Sequence, residues 1–152
     1  MDPFDYNGTH CVQAFELRRR GTPVQATALP AELLPGPGGG GGRPLADIEA
    51  AWGVRFTVQA PDLVAAAFRR YGPGARGFVA VLWRFGGGHV FSVENVAGRV
   101  RFVDPQTGEA DVGWYFELAE WAAYVRVDEA TAGPALREFA EPEGAEPEGA
   151  AP

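Results

Sequence analysis

The chain has 152 residues, 46% of them apolar and 22% charged, enough for one domain with a real core and too few for two of ordinary size. A net charge of −7 argues against a nucleic-acid binder driven by phosphate contacts. The single cysteine excludes an internal disulfide, and no apolar run approaches the roughly 18 to 20 residues of a membrane-spanning helix. The opening, MDPFDYNGTH, is acidic and polar and does not read as a secretory signal peptide. All 13 basic residues are Arg, which fits a composition rich in Ala, Gly and Pro.

The first predicted element is a helix from about His10 to Arg20, with Thr9 as N-cap and Gly21 as the stop. LPGPGGGGGRP (Leu34 to Pro44) follows, and its five consecutive glycines mark a flexible loop at about 35–43. Pro44 opens a second helix with Leu45, Ile48 and Trp52 on one stripe and Gly53 beyond its end. Pro61-Asp62 opens a third, with Leu63, Val64, Ala67, Phe68 and Tyr71 expected to face the core and Gly72 as the stop. Strands are expected at Val54 to Val58, Gly77 to Arg84, His89 to Val96, Arg99 to Val103 and Ala123 to Val127. A short helix is expected near Tyr115 to Trp121, and a last one from Asp128 through Phe139, weakened by Gly133-Pro134. The end, AEPEGAEPEGAAP, repeats EPEGA and has no apolar side chain larger than Ala, so 1–140 reads as the domain and 141–152 as a disordered acidic tail. Four of the chain's acidic residues, Glu141, Glu143, Glu146 and Glu148, lie in that tail, so the negative charge says little about a partner. Helices first and strands later argue for an α+β fold with a mostly antiparallel sheet.

Cys11 falls early in the first helix, where unpaired N–H groups and the helix dipole favour a thiolate and lower the pKa. The alternative is a small buried hydrophobe. Only Ala97-Gly98 separate two alternating strands, so a two-residue turn pairs Val96 with Arg99. Carried back, that register places His89, Phe91 and Val93 on one face with Phe102, Asp104 and Gln106, the core-side face. His89 and Asp104 then sit on a diagonal within side-chain reach. A carboxylate there fixes the imidazole tautomer and leaves the other ring nitrogen as a base, unless the pair serves only to satisfy two buried polar groups. Gly86-Gly87-Gly88 before His89 suggests a close backbone approach at a cleft, or a simple hairpin loop. A helix-start thiol, a strand histidine and a third polar group are the parts of a thiol nucleophile site, in which the thiolate would attack an acyl carbon and the histidine would shuttle the proton to a leaving amine. The oxyanion would then meet the Cys11 N–H and a nearby side-chain amide, for which Asn7 is the candidate beside its alternative as a turn former. His10 reads as a surface or first-turn residue, and Arg18-Arg19-Arg20 as a solvated helix end.

Asn7-Gly-Thr-His-Cys11-Val-Gln-Ala-Phe, Gly87-Gly-His89-Val-Phe-Ser-Val-Glu-Asn-Val96 and Val103-Asp104-Pro-Gln-Thr-Gly108 together resemble the papain-fold toxin domains of bacterial polymorphic toxins, which are similar to effector glutamine deamidases. The resemblance implies a papain-like arrangement, with the nucleophile on an N-terminal helix packed on the sheet. It implies Cys11 as nucleophile, His89 as general base and Asp104 as the orienting acid, with Gln106 a candidate auxiliary residue. Gly8 departs from the many relatives that carry a second cysteine three positions before the nucleophile. No metal or organic cofactor is implied. The implied partners are a protein substrate in a target cell and a cognate immunity protein, and the implied location is the target-cell cytoplasm after secretion within a larger toxin. The expected reaction is deamidation of a protein glutamine. A thiol protease, a deubiquitinase-like isopeptidase or transglutaminase-like acyl transfer could use the same three residues, and a non-catalytic binding module could keep the same fold.

Overall fold

The computed structural model describes residues 7–33 and 43–144. In chain order the main elements are α1 Gly8–Arg19, β1 Val24–Ala26, α2 Leu45–Trp52, β2 Thr57–Gln59, α3 Val64–Tyr71, β3 Arg76–Trp83, β4 Gly88–Val96, β5 Arg99–Asp104, β6 Glu109–Ala110, β7 Ala119–Arg126 and β8 Ala140–Pro142. Among the described residues, six strands form one antiparallel sheet in the order β2-β7-β3-β4-β5-β6, and β1 pairs with β8 in a separate ribbon. The domain is α+β, as its element order implied.

Strand alternation divides the core between the two faces of the sheet. Val79, Val81, Phe91, Val93 and Phe102 point to one face, where α3 contributes Val64 and Phe68. Phe78, Ala80, Val90 and Val125 point to the other, where α1 contributes Val12 and α2 contributes Ile48 and Trp52. The β4–β5 hairpin turns on Ala97 (φ 55°) and Gly98 (φ 93°), and both left-handed residues are what a two-residue turn between twisted strands requires. Its register, Val96 with Arg99 through Ser92 with Val103, is the one that the turn chemistry sets.

Several elements differ from expectation. The third helix opens as a 3-10 turn, Pro61–Leu63, and Leu63 and Tyr71 are exposed rather than core. The helix expected near 115–121 is a 3-10 helix, Gly113–Leu118, and Trp121 lies in β7. The helix expected from Asp128 shrinks to a 3-10 turn, Pro134–Glu138. Asp128 is instead occupied by the Arg76 N–H and the Arg126 guanidinium, so it does not cap a helix. The chain stays in strand through Pro142, beyond the boundary expected at 141, because the Gln25 and Glu141 side chains bond across the β1–β8 ribbon at 3.1 Å. Residues 34–42 of the glycine loop and residues 145–152 lie outside the described residues.

The helix-end arginines are exposed, as expected, and Arg19 and Arg20 also act as staples. Buried Glu16 accepts from Arg76 at 2.7 Å and from Arg20 at 2.8 Å. Buried Glu94 of β4 accepts from Arg101 at 2.6 Å and also pairs with Arg19. These pairs lock α1 onto β3 and β4, and so fix where its first turn lies.

Candidate active site

The first turn of α1 differs from the sequence expectation in a way that matters for chemistry. The helix starts at Gly8, with Asn7 at the N-cap and no side-chain cap bond. Cys11 is therefore the fourth helical residue, and its N–H already donates to the Asn7 carbonyl at 3.0 Å. The expected use of the Cys11 N–H as an oxyanion donor is corrected on that ground. Asn7 is corrected likewise. Its Nδ2 donates to the Thr27 carbonyl at 2.9 Å, and its Oδ1 accepts from the Cys11 thiol at 3.4 Å, so it turns an oxygen toward the sulfur. Burial and then the Asp104 carboxylate push the Cys11 thiol up to about 11, against a smaller pull from Arg18. The thiol pKa therefore moves opposite to the expected depression, because burial and the Asp104 charge outweigh the pull of Arg18.

Across from this turn lies the histidine. His89 Nε2 hydrogen-bonds Asp104 Oδ2 at 2.7 Å. A carboxylate accepts, so Nε2 carries the proton and Nδ1 is left with its lone pair. Nδ1 faces α1: a Cβ added at Gly8 would lie 3.4 Å from it and 3.3 Å from Cε1. Gly8 and Cys11 are three apart and share a helix face. The bare backbone at Gly8 is therefore what lets the imidazole come against the face that carries the thiol. Parallel rings of Trp83 and Phe91 and the edge of Tyr115 surround the imidazole at centroid distances of 6.3, 6.3 and 5.9 Å.

Asp104 is fully buried. Burial works to raise its pKa, but hydrogen bonds from His89 and Tyr115 outweigh that cost and hold the carboxyl below the usual carboxylate range. Tyr115 donates from its hydroxyl to Oδ2 at 2.6 Å, and burial and this bond drive its own pKa up. Asp104 Oδ1 accepts the Gln106 N–H at 3.0 Å, and Gln106 Nε2 reaches Asn7 Oδ1 at 3.5 Å. Cys11, Asn7 and Gln106 thus meet around one amide oxygen, while His89, Asp104 and Tyr115 form a connected relay beside it. Tyr115 was missed in the sequence. The available signal was an aromatic run, Trp114-Tyr115-Phe116, after the acidic residue, since a buried Tyr needs a partner for its hydroxyl; which ring would turn inward was not set by spacing.

His10 is not a surface residue: it is fully buried. Its Nδ1 donates to the Thr27 carbonyl at 2.9 Å, and its Nε2 accepts from Arg43 Nε at 3.0 Å. Burial lowers its pKa to about 4. It packs edge-on against Phe139 at 5.2 Å and anchors α1 rather than joining the relay. Gly86 and Gly87 adopt φ of 101° and 79° and make the β3–β4 turn beside the site. Among the described residues, no group of three or more His, Cys, Asp or Glu could hold a metal ion, and no helix is long and apolar enough to cross a membrane.

The α+β domain, with a thiol-bearing helix facing a half-buried imidazole paired to a buried carboxylate, matches a family of glutamine deamidases, hydrolases acting on amide C–N bonds. The chain belongs to the papain fold toxin 1, glutamine deamidase family, whose model matches residues 6–109, a span that holds Asn7, Cys11, His89, Asp104 and Gln106. No curated protein matches the chain.

Proposed function

We propose that the protein is a cysteine-dependent protein-glutamine deamidase, acting as a toxin domain on a protein of the target cell. The observation that carries this reading is the orientation of His89: Nε2 bound to Asp104, Nδ1 turned toward the helix face of the only cysteine. The thiol rests protonated, so it is activated by general-base transfer rather than as a standing thiolate. The Cys11 proton passes to His89 Nδ1 as sulfur attacks the side-chain carbonyl carbon of a glutamine. His89 then gives this proton to the departing nitrogen, the C–N bond breaks, ammonia leaves, and a thioester remains. Water, deprotonated by His89, attacks the thioester; glutamate is released and the thiol regains its proton. Asp104, braced by Tyr115, stabilises the imidazolium formed in each half. The site is a papain-like one in this reading, and a cognate immunity protein would have to cover or distort it.

The test is incubation of the full chain with target-cell proteins, read by ammonia release and intact mass. Wild type is expected to add about one dalton per glutamine converted, and Cys11→Ala, well folded by circular dichroism, is expected to add none. Fragments in place of the mass increment would make the enzyme a protease. Activity retained in Cys11→Ala would remove the nucleophile.

A further inference from the structure

The rings that hold His89 do not stop at the site. Trp83, parallel to the imidazole, stacks on Phe85 at 5.9 Å with a 7° interplanar angle. Tyr115, edge-on to the imidazole, meets Trp114 at 4.7 Å. Phe85 is 72% exposed and Trp114 51% exposed, so two chains of rings run outward from His89 and each ends in solvent. Phe85 is held there by its turn: the Trp83 carbonyl accepts the Gly86 N–H at 3.0 Å, and the Gly87 carbonyl accepts the Trp83 N–H at 2.8 Å. Folding gains little from a phenyl ring kept out at a turn tip, whereas covering it would favour binding. The flank around Trp114 is mainly acidic, with exposed Arg84, whose N–H donates to the Leu118 carbonyl at 2.9 Å, on its Phe85 side. Between Arg101 and Arg126 the chain has no Arg, Lys or His, and Glu109, Asp111, Glu117 and Glu120 are all exposed. The Glu109 charge is felt at the Tyr115 hydroxyl, so this negative potential extends to the mouth of the site.

Resting on the deamidase reading, we infer that Phe85 and Trp114 form an aromatic rim that selects the substrate: the glutamine taken is one whose flanking residues are a large apolar side chain and a basic one. The apolar neighbour covers the rim and the basic neighbour meets the acidic flank. The occupant is thus a segment of the substrate polypeptide itself, because the ring chains are continuous with the imidazole that acts on it.

The experiment compares two capped peptides, each with one glutamine, flanked by Phe and Arg in the first and by Asp on both sides in the second. Wild type is expected to turn over the first with kcat/KM about tenfold higher or more. Phe85→Ser and Trp114→Ser are each expected to raise KM for the first peptide about tenfold, with kcat and melting temperature little changed. Equal use of the two peptides, or an unchanged KM in both variants, would overturn the rim. A wild-type dimer seen by sedimentation and abolished in Phe85→Ser would assign the rim to a second copy and overturn it also. Failure of the underlying reading looks different: wild type and Cys11→Ala would release the same ammonia from both peptides and from target-cell protein, and the rim would fall with it.

Discussion

Three groups bear on the Asp104 carboxylate: the His89 ring, the Gln106 N–H and the Tyr115 hydroxyl. They differ in what their loss should do. Tyr115→Phe keeps the ring packing and removes one charge-assisted bond, so kcat should fall about tenfold with KM nearly unchanged. Asp104→Asn removes the charge that stabilises imidazolium, and a loss of about 10³ in kcat is expected. Steady-state kinetics on a glutamine substrate separates the two, and equal losses would show that Tyr115 holds Asp104 wholly in place. The Cys11 thiol, pushed up to about 11, gives a further check: its alkylation by iodoacetamide should climb steadily between about pH 7 and about pH 10. A rate already saturated at neutral pH would mean a standing thiolate–imidazolium pair. His10 acts on stability instead. Its folded pKa, about 4, lies below its unfolded value of about 6.5. The unfolded chain therefore binds this proton first as pH falls. Stability from this residue is fully present above about pH 6.5 and is lost progressively down to about pH 4, by about 3 kcal/mol in all. Urea melts of wild type and His10→Gln across that window test this, since only the wild type should lose that increment.

At the scale of elements, α1 decides the geometry. Gly8→Ala should make the helix intrinsically better by about 1 kcal/mol while its methyl presses on the His89 ring 3.3 Å away. Activity is expected to fall about tenfold or more as the melting temperature holds or rises, and a variant of wild-type rate would show that the ring has room to yield. Glu16→Gln weakens the bonds to Arg76 and Arg20, and about 1.5 to 3 kcal/mol of stability should be lost in urea unfolding. Some elements were legible because their signals are local. Pro44, the Leu45–Ile48–Trp52 stripe and Gly53 (φ 65°) bound α2 unaided, and Ala97-Gly98 set the β4–β5 register. The start of α1 was not legible, because two residues of N-cap type, Asn7 and Thr9, stand two apart, and Asn7 caps the helix with its side chain turned to Thr27 and Cys11 instead of the helix N–H groups. Val64, Ala67 and Phe68 bury as the apolar stripe of α3 predicts, but Leu63 falls in the 3-10 opening and Tyr71 is the last helical residue, so the stripe loses its two ends.

For the molecule as a whole, the pairing of His89 with Asp104 could be read from the sequence because one hairpin carries both. The environment of the thiol could not, since it depends on Asp104 and on Asn7, whose side chain is held by Thr27, groups brought together from distant parts of the chain. The same is true of the ribbon that joins β1 to β8 across more than a hundred residues. Phe139 accepts the Thr27 N–H at 2.9 Å and packs on His10, one residue from the sulfur, so truncation after Glu138, which removes Phe139, should cost activity while truncation after Gly144 should not. Turnover assays on the two shortened chains decide between a passive extension and a working end.

The placement of Phe139 also fixes an order of assembly. Sheet strands β3, β4 and β5 are neighbours in sequence and can zip early, but Phe139 reaches His10 beside the sulfur only when the end of the chain docks, and such distant closures are slow. During refolding, competence should lag behind the recovery of secondary structure, so that a chain caught partway through has its fold's outline and none of its toxicity.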